Sequence, residues 1–119
     1  MESAASNRQI LESMFEEKAF KSPEFEHELR SDDFVAEIPQ TGERFDSRDA
    51  LKAMQENLGE PPRLQLKEIR GEGDIWIVEA IQSYQSEGDF HVCVIVEFNN
   101  GKISRETRYY GPPLTTQRT

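Results

Sequence analysis

The strictest pattern in this sequence is a run near the C-terminus in which every second residue is apolar. The run spans residues 90–98 and consists of Phe90, Val92, Val94, Val96 and Phe98. A period of two is typical of a β-strand with one buried face, because successive side chains of a strand point to opposite sides. Asn99-Asn100-Gly101 follows, and it suits a three-residue hairpin loop with a left-handed glycine. The chain must therefore cover an apolar sheet face with another layer.

Three more strands are predicted around this run, over residues 64–70, 75–84 and 102–110. The first of them alternates imperfectly, and the second is rich in Ile, Val and Trp. Glu87-Gly88 predicts a two-residue turn between the second of them and the apolar strand. The second half of the chain is therefore predicted to be a four-stranded antiparallel meander.

The first half is predicted to form three helices and one strand. Apolar residues at helical spacing indicate a first helix over residues 7–20, and Ser22-Pro23-Glu24 is a strong start signal for a second. Residues 33–39 are predicted as a strand, and Asp46 or Ser47 begins a third helix. The predicted fold class is α+β, with the three helices covering one face of a strongly curved antiparallel sheet.

Length and charge narrow the class of protein. The 119 residues are predicted to form one domain, 1–119, with an ordered core at about 7–113 and a polar tail at each end. The chain has 23 acidic and 14 basic residues, so its formal net charge is −9 at pH 7. We expect no binding to nucleic acid or to an anionic membrane surface, because both require a basic face.

Cysteine usage and the N-terminal residues indicate where the protein resides. Cys93 is the single cysteine, which excludes an internal disulfide and fits a reducing compartment. The first residues lack the basic and apolar segments of a signal peptide, and no apolar run approaches the ~20 residues that span a bilayer. We expect a cytoplasmic protein.

The pairing of the strands predicts which polar side chains share the apolar face. A two-residue turn at Glu87-Gly88 would place Ile77 and Glu79 on the side of the Val92, Val94 and Val96 row. A three-residue loop after Phe98 would place four residues of the last strand on that side: Ser104, Glu106, Arg108 and Tyr110. The remaining row faces outward and contains Trp76, Val78, Ala80, Tyr84, Ile95 and Tyr109.

This arrangement suggests acid/base chemistry on an apolar wall. Burial raises the pKa of a carboxyl and a neighbouring Arg lowers it, so Glu79 and Glu106 could divide the acid and base roles. Arg108 would fix an anionic or enolate oxygen, and Tyr110 would donate a hydrogen bond. Two alternatives stay open. Glu106 and Arg108 could form only an ion pair along their strand, and a one-residue slip of register would turn the row outward.

Two further sequence features concern partners and metals. The outer row is apolar and aromatic, which usually indicates a partner, and a homodimer is the simplest one because a single self-complementary patch suffices. His91, Cys93 and Glu97 alternate on one strand, but residues in a row do not converge on an ion. No metal and no cofactor is expected.

Three segments resemble the SnoaL-like proteins of the nuclear transport factor 2-like superfamily. Residues 32–44 (DDFVAEIPQTGER) resemble the first strand of that family. Residues 75–79 (IWIVE), with Tyr84, resemble its third strand, and residues 101–110 (GKISRETRYY) resemble its last. The resemblance covers about residues 7–113. It implies a cone-shaped, cystatin-like α+β domain with a pocket between helices and sheet, and usually a homodimer through the sheet.

The resemblance implies several functions, since the family includes polyketide cyclases, ketosteroid isomerases, epoxide hydrolases, dehydratases and non-catalytic binders. Three positions that carry the ketosteroid isomerase chemistry fall here on apolar residues, namely Ile38, Met14 or Phe15, and Val94. We therefore predict a pocket for a hydrophobic small molecule, serving either an acid/base enzyme or a non-catalytic binding module. Its predicted lining is Tyr110, Ile38, Ile77, Val94, Phe15 and Met54.

Overall fold

The computed structural model describes residues 4–15, 23–57, 63–84 and 88–112. Within them the chain forms three helices: α1 (Ala4–Phe15), α2 (Pro23–Leu29) and α3 (Arg48–Asn57). It also forms six strands: β1 (Arg30–Ile38), β2 (Glu43–Phe45), β3 (Arg63–Glu72), β4 (Ile75–Tyr84), β5 (Gly88–Asn99) and β6 (Lys102–Gly111). The predicted α+β class is confirmed, and β2 is a strand that the sequence pattern did not predict.

All six strands belong to one curved, open sheet in the order β2-β1-β6-β5-β4-β3. Strands β3 to β6 form the predicted antiparallel meander. Strand β1 pairs in parallel with β6, so the sheet is mixed rather than wholly antiparallel. A parallel pair requires a crossover connection, and here everything from β2 to β5 lies between the two strands. None of the described helices is long and apolar enough to cross a membrane.

The helix starts follow the predicted signals with one exception. Helix α2 begins at Pro23 as predicted, and the Ser47 hydroxyl caps α3 by accepting a hydrogen bond from the Ala50 amide at 3.0 Å. Helix α1 begins at Ala4, earlier than predicted. Asn7 is therefore a buried helical residue, and its side-chain amide donates to the Gly73 carbonyl at 2.8 Å. The predicted continuation of α1 to residue 20 lies outside the described residues.

A bulge explains the imperfect alternation of β3. Leu66 pairs with Ala80, but Glu68 pairs with Glu79, so Lys67 is an extra residue on β3. The extra residue reverses the sides of the following positions. Ile69 is buried in consequence, although it lies at an odd number of residues from Leu66.

The register of β4 against β5 differs from the prediction by three residues, because Val94 pairs with Val78 and not with Ile81. Tyr84 pairs with Gly88, so three residues separate the strands instead of the predicted two. Gly88 has a φ of 88°, the left-handed conformation that closes such loops. Because a shift by an odd number of residues turns every side chain over, even-numbered β4 residues face the helices. Those predicted to face outward are core residues instead: Trp76, Val78 and Ala80.

The hairpin between β5 and β6 keeps its predicted parity for a different reason. Asn99 pairs with Lys102, which leaves a two-residue turn in which Asn100 and Gly101 both have positive φ. A bulge then makes Ser104 an extra residue, because Phe98 pairs with Ile103 and Glu97 with Arg105. The shorter loop and the bulge compensate each other, so Glu106, Arg108 and Tyr110 lie on the inward side as predicted, whereas before the bulge the buried residue is Ile103.

The core lies between the helices and the inner face of the sheet. Leu11, Met14 and Phe15 of α1 and Leu51 of α3 are buried. Opposite them lie the inward rows of the meander, which are Trp76, Val78, Ala80, Val92, Val94 and Val96. Full burial of one large apolar side chain stabilises the folded state by about 1.5–3 kcal/mol. The inward polar residues of β6 lie next to this apolar layer.

We predict that Gly71→Ala destabilises the protein by about 2–4 kcal/mol. Gly71 has a φ of 142°, and an added Cβ would lie 2.4 Å from the Ile75 carbonyl oxygen and 2.7 Å from the Trp76 Cα. These are backbone atoms of the paired strand and cannot turn away. The control is Gly111→Ala, where a Cβ meets nothing within 4 Å. Urea denaturation measures both; equal stabilities for the two variants would contradict the prediction.

Candidate functional site

A carboxylate in the middle of the inner face defines the candidate site. Glu106 lies on β6 with 1% of its surface exposed. Its neighbours in register are Val96 on β5 and Ala36 on β1. Both are short apolar side chains that cannot pair with a charge. A buried carboxylate needs hydrogen-bonding partners, since leaving it unpaired costs several kcal/mol.

The first partner of Glu106 is Arg30, the residue that joins α2 to β1. The Arg30 side chain is fully buried, and its Nε donates to Glu106 Oε2 at 3.0 Å. Its guanidinium lies 5.1 Å from the centroid of the Phe34 ring, a cation–π arrangement. Sequence reasoning missed Arg30, which stands at the end of a polar helix and before Ser31 and Asp32. A register irregularity in β1 between Arg30 and Val35 accompanies the inward position of the Arg30 side chain. The local sequence pattern gives no sign of this irregularity.

The second partner is Arg108, two residues further along β6. Its Nε donates to Glu106 Oε1 at 3.0 Å and its Nη2 donates to the same oxygen. The Arg108 side chain is 13% exposed, against 2% for that of Glu106. Tyr110 follows on the same face, packs against the core and contributes, after Glu106, to the raised pKa of Arg108. The structure thus brings together Glu106, Arg108 and Tyr110, as the predicted parity required.

Helices α2 and α3 hold the far end of this cluster. Glu26 Oε1 accepts hydrogen bonds from Arg30 Nη2 at 3.2 Å and from Gln55 Nε2 at 3.0 Å. Arg48, at the start of α3, donates to the carbonyls of His27 and Arg30. These contacts fix the position of Arg30 from both its backbone and its side chain.

The two guanidinium groups determine the charge state of Glu106. Burial by itself raises the pKa of a carboxyl, but the charges of Arg30 and Arg108 and their hydrogen bonds outweigh it and lower the pKa of Glu106 to about 2. Burial likewise lowers the pKa of Arg108, and Glu106 more than offsets this, so the pKa of Arg108 is raised. Glu106 is therefore an ionised carboxylate at neutral pH.

Glu79 does not belong to this cluster, so its predicted inward placement is wrong. It lies on the outer face of β4, where its half-exposed side chain is 3.4 Å from Arg70. Ile77 shares that outer face and is 39% exposed, so its predicted place in the pocket lining is also wrong. The cause is the three-residue shift in the β4–β5 register, an odd number, which moves both side chains across the sheet.

The other predicted lining residues lie on the inner side or among the helices. Val94 and Phe15 are buried in the core, and Met54 of α3 is half-buried against it. Ile38 is half-buried at the end of β1. It follows Phe34 and Ala36 on the inward side of that strand.

The end of β6 is held by a side chain in place of a strand. Backbone pairing between β1 and β6 reaches Glu37 and Thr107. Beyond it, Gln40 accepts a hydrogen bond from the Tyr110 amide at 2.5 Å and donates one to the Tyr110 carbonyl at 2.8 Å. Gln40 thus supplies both hydrogen bonds that the next residue of a strand would make, and it keeps Tyr110 in register.

Cys93 lies outside the cluster, on the outer face of the sheet next to Glu79. Burial, followed by the charge of Glu79, raises the pKa of its thiol, and a protonated thiol is a poor nucleophile and metal ligand. Within the described part of the chain, no group of three His, Cys, Asp or Glu residues could hold a metal ion.

We predict that ionised Glu106 makes the free energy of unfolding decrease as the pH is lowered. Its pKa falls from an ordinary 4.5 to about 2 on folding, so its contribution is complete above pH 4.5 and is lost as the pH falls towards 2. The size of that contribution is about 3 kcal/mol. Glu106→Gln removes this dependence and leaves two buried guanidinium groups without their common partner, at a cost of about 3–5 kcal/mol at neutral pH.

Urea denaturation across this pH range tests that prediction. The matched control is Glu79→Gln, because Glu79 is a half-exposed carboxylate beside an exposed Arg, and we expect a change below about 0.5 kcal/mol. A Glu106→Gln protein that loses as much stability in acid as the unmodified one would contradict the assignment.

Comparison with known proteins adds a structural context. No protein-family model matches the chain, and no curated protein matches its sequence. An NTF2-like protein of unknown function from Burkholderia xenovorans LB400 is 31% identical, with a TM-score of 0.85 over 95% of this chain and 88% of that one. An NTF2-like protein of unknown function from Mesorhizobium loti is 17% identical, with a TM-score of 0.78 over 92% and 93% of the two chains. An LEH-like epoxide hydrolase of M. tuberculosis is 15% identical, with a TM-score of 0.73 over 90% and 84%.

Proposed function

The chain belongs to the nuclear transport factor 2-like superfamily, and from that premise we propose that it binds a small hydrophobic molecule on the inner face of its sheet. The binding position is the Arg108–Tyr110 end of the buried charge cluster. Glu106 acts there as a fixed carboxylate that orients Arg108. Under this proposal the protein is a non-catalytic binding module. The alternative from the sequence, an acid/base enzyme, is less well supported.

The observation that carries the proposal is the gradient of exposure along the cluster. The side chain of Arg30 is fully buried and that of Glu106 nearly so, while that of Arg108 is 13% exposed. Tyr110, Ile38 and Met54 are also only half-buried, in contrast to the closed core. A few polar groups at the edge of an apolar wall are the usual composition of a ligand site.

The charge state of Glu106 disfavours the acid/base alternative. A general acid or base works best with a pKa near the operating pH. With a pKa of about 2, Glu106 has no proton to donate at neutral pH and is too weak a base to remove one efficiently. Glu79, the second carboxylate of the sequence-based hypothesis, lies on the opposite face of the sheet.

Binding of the neutral dye Nile red tests the proposed pocket. We expect one site per chain, and we expect Ile38→Trp to weaken binding at least about tenfold, because the larger side chain occupies the inner end of β1. Fluorescence titration measures the affinity. The control is Ile77→Trp, which adds the same bulk on the outer face. Equal weakening by the two variants, or no saturable binding to the unmodified protein, would contradict the proposal.

We also propose that the outer face of the sheet forms a homodimer. Among the described residues, three large apolar side chains are exposed there, namely Ile75, Ile77 and Tyr109. Ile95 and Cys93 lie between them in register on β5. An exposed apolar patch of this kind is typical of an interface, and a two-fold axis lets one patch cover itself.

Sedimentation at micromolar concentration tests the dimer. We expect a mass of twice 13.7 kDa, and we expect Ile77→Asp to give a monomer, because it places a charge in the centre of the patch. Gln9→Asp is the control, since Gln9 is exposed on α1, away from the sheet. A monomeric unmodified protein would refute the dimer.

A further inference from the structure

The charged side chains of the inner cluster alternate in sign along a single line. Glu26 contacts Arg30, Arg30 contacts Glu106, and Glu106 contacts Arg108. The line begins with a carboxylate at the helices and ends with a guanidinium on β6. Each internal member has an opposite charge on both sides, and the last one, Arg108, has among the described residues a charged partner on one side.

The Arg108 side chain is 13% exposed, so it stays accessible beyond its contact with Glu106. Its described contacts with Glu106 use Nε and Nη2, and a guanidinium carries five N–H donors in a planar fork. Its pKa is raised, so the group is a permanent cation. Tyr110 lies beside it on the inner face and adds a phenol hydroxyl.

Arg30 does not offer a second such position. Its Nη1 has no hydrogen-bond partner among the described residues, but its side chain is completely buried and lies against the Phe34 ring. A ligand has no access to it. The charge of Arg30 instead stabilises Glu106 from behind.

We propose that the molecule bound on the inner face carries a carboxylate, and that this carboxylate binds Arg108 beside Tyr110. The inference rests on the proposed binding function and names the chemical class of its ligand: an apolar chain or ring with one anionic head. The head continues the alternation of charge, and the apolar part lies on the inner face beside the half-buried Ile38 and Met54.

The selectivity must come from this local arrangement. The chain has a net charge of −9, which repels anions at long range. Close contact reverses that preference, because a charge-assisted hydrogen bond in a partly buried site is stronger than a screened interaction across the surface. A ligand with an ammonium head would meet the charge of Arg108 directly and is disfavoured.

Three probes with the same apolar chain separate charge from hydrophobicity: octanoate, 1-octanol and octylammonium. At neutral pH we expect octanoate to bind the unmodified protein about tenfold more tightly than octanol, and octylammonium to bind most weakly. Calorimetric titration gives the affinities. Shifts of the Val92 and Val94 amide resonances show whether each probe occupies the inner face.

The variant Arg108→Gln should bind octanoate no better than octanol. Arg70→Gln is the control, because Arg70 is an exposed guanidinium on β3, and it should keep the preference. If Arg108→Gln does not fold, the order of the three probes on the unmodified protein decides the matter alone. Octanol binding as tightly as octanoate would contradict the proposed carboxylate recognition but not the proposed pocket. Failure of all three probes to shift inner-face resonances would overturn both.

Discussion

The pairing of one buried carboxylate with two guanidinium groups sets the conditions for the rest of the structure. Glu106 sits on an apolar sheet face where its charge would be very costly alone. Arg30 reaches it from the junction of α2 and β1, and Arg108 from its own strand. The contact between Arg30 and Glu106 therefore couples the helical layer to the last strand of the sheet. It also keeps Glu106 ionised, which turns it from a candidate acid into the group that orients Arg108.

The elements around the cluster serve the same geometry. Arg48 binds backbone carbonyls at the end of α2, and Gln55 binds Glu26, so α3 holds the segment that carries Arg30. At the opposite end Gln40 replaces a strand residue and holds Tyr110. The inner residues of β6 are thus supported from both ends. A rigid array of this kind is suited to recognising a ligand by the position of its charge.

Part of this arrangement could be predicted from the strand pattern, and part could not. The alternation in β5 and the parity of β6 correctly placed Glu106, Arg108 and Tyr110 on one face. The same reasoning misplaced Glu79 and Ile77, because the β4–β5 hairpin closes at Tyr84 and Gly88, which shifts the register by three residues from the one that Glu87-Gly88 predicted. In the β5–β6 hairpin, a shorter loop and a bulge at Ser104 shift the register by two in total, so the sides were preserved. The length of a hairpin loop depends on local backbone energies, which cannot be predicted reliably from the residue types alone.

The order of apolar and polar residues by itself determined the α+β class, most strand positions and the apolar character of the wall. Those features follow from periodicity, which is a property of neighbouring residues. Only the tertiary structure decided that Arg30 turns inward and joins Glu106, 76 residues away along the chain. Contacts at that separation depend on the register of β1 against β6 and on the docking of α2. No short-range pattern encodes them, because the energy that selects them is the pairing of charges that become neighbours only after folding.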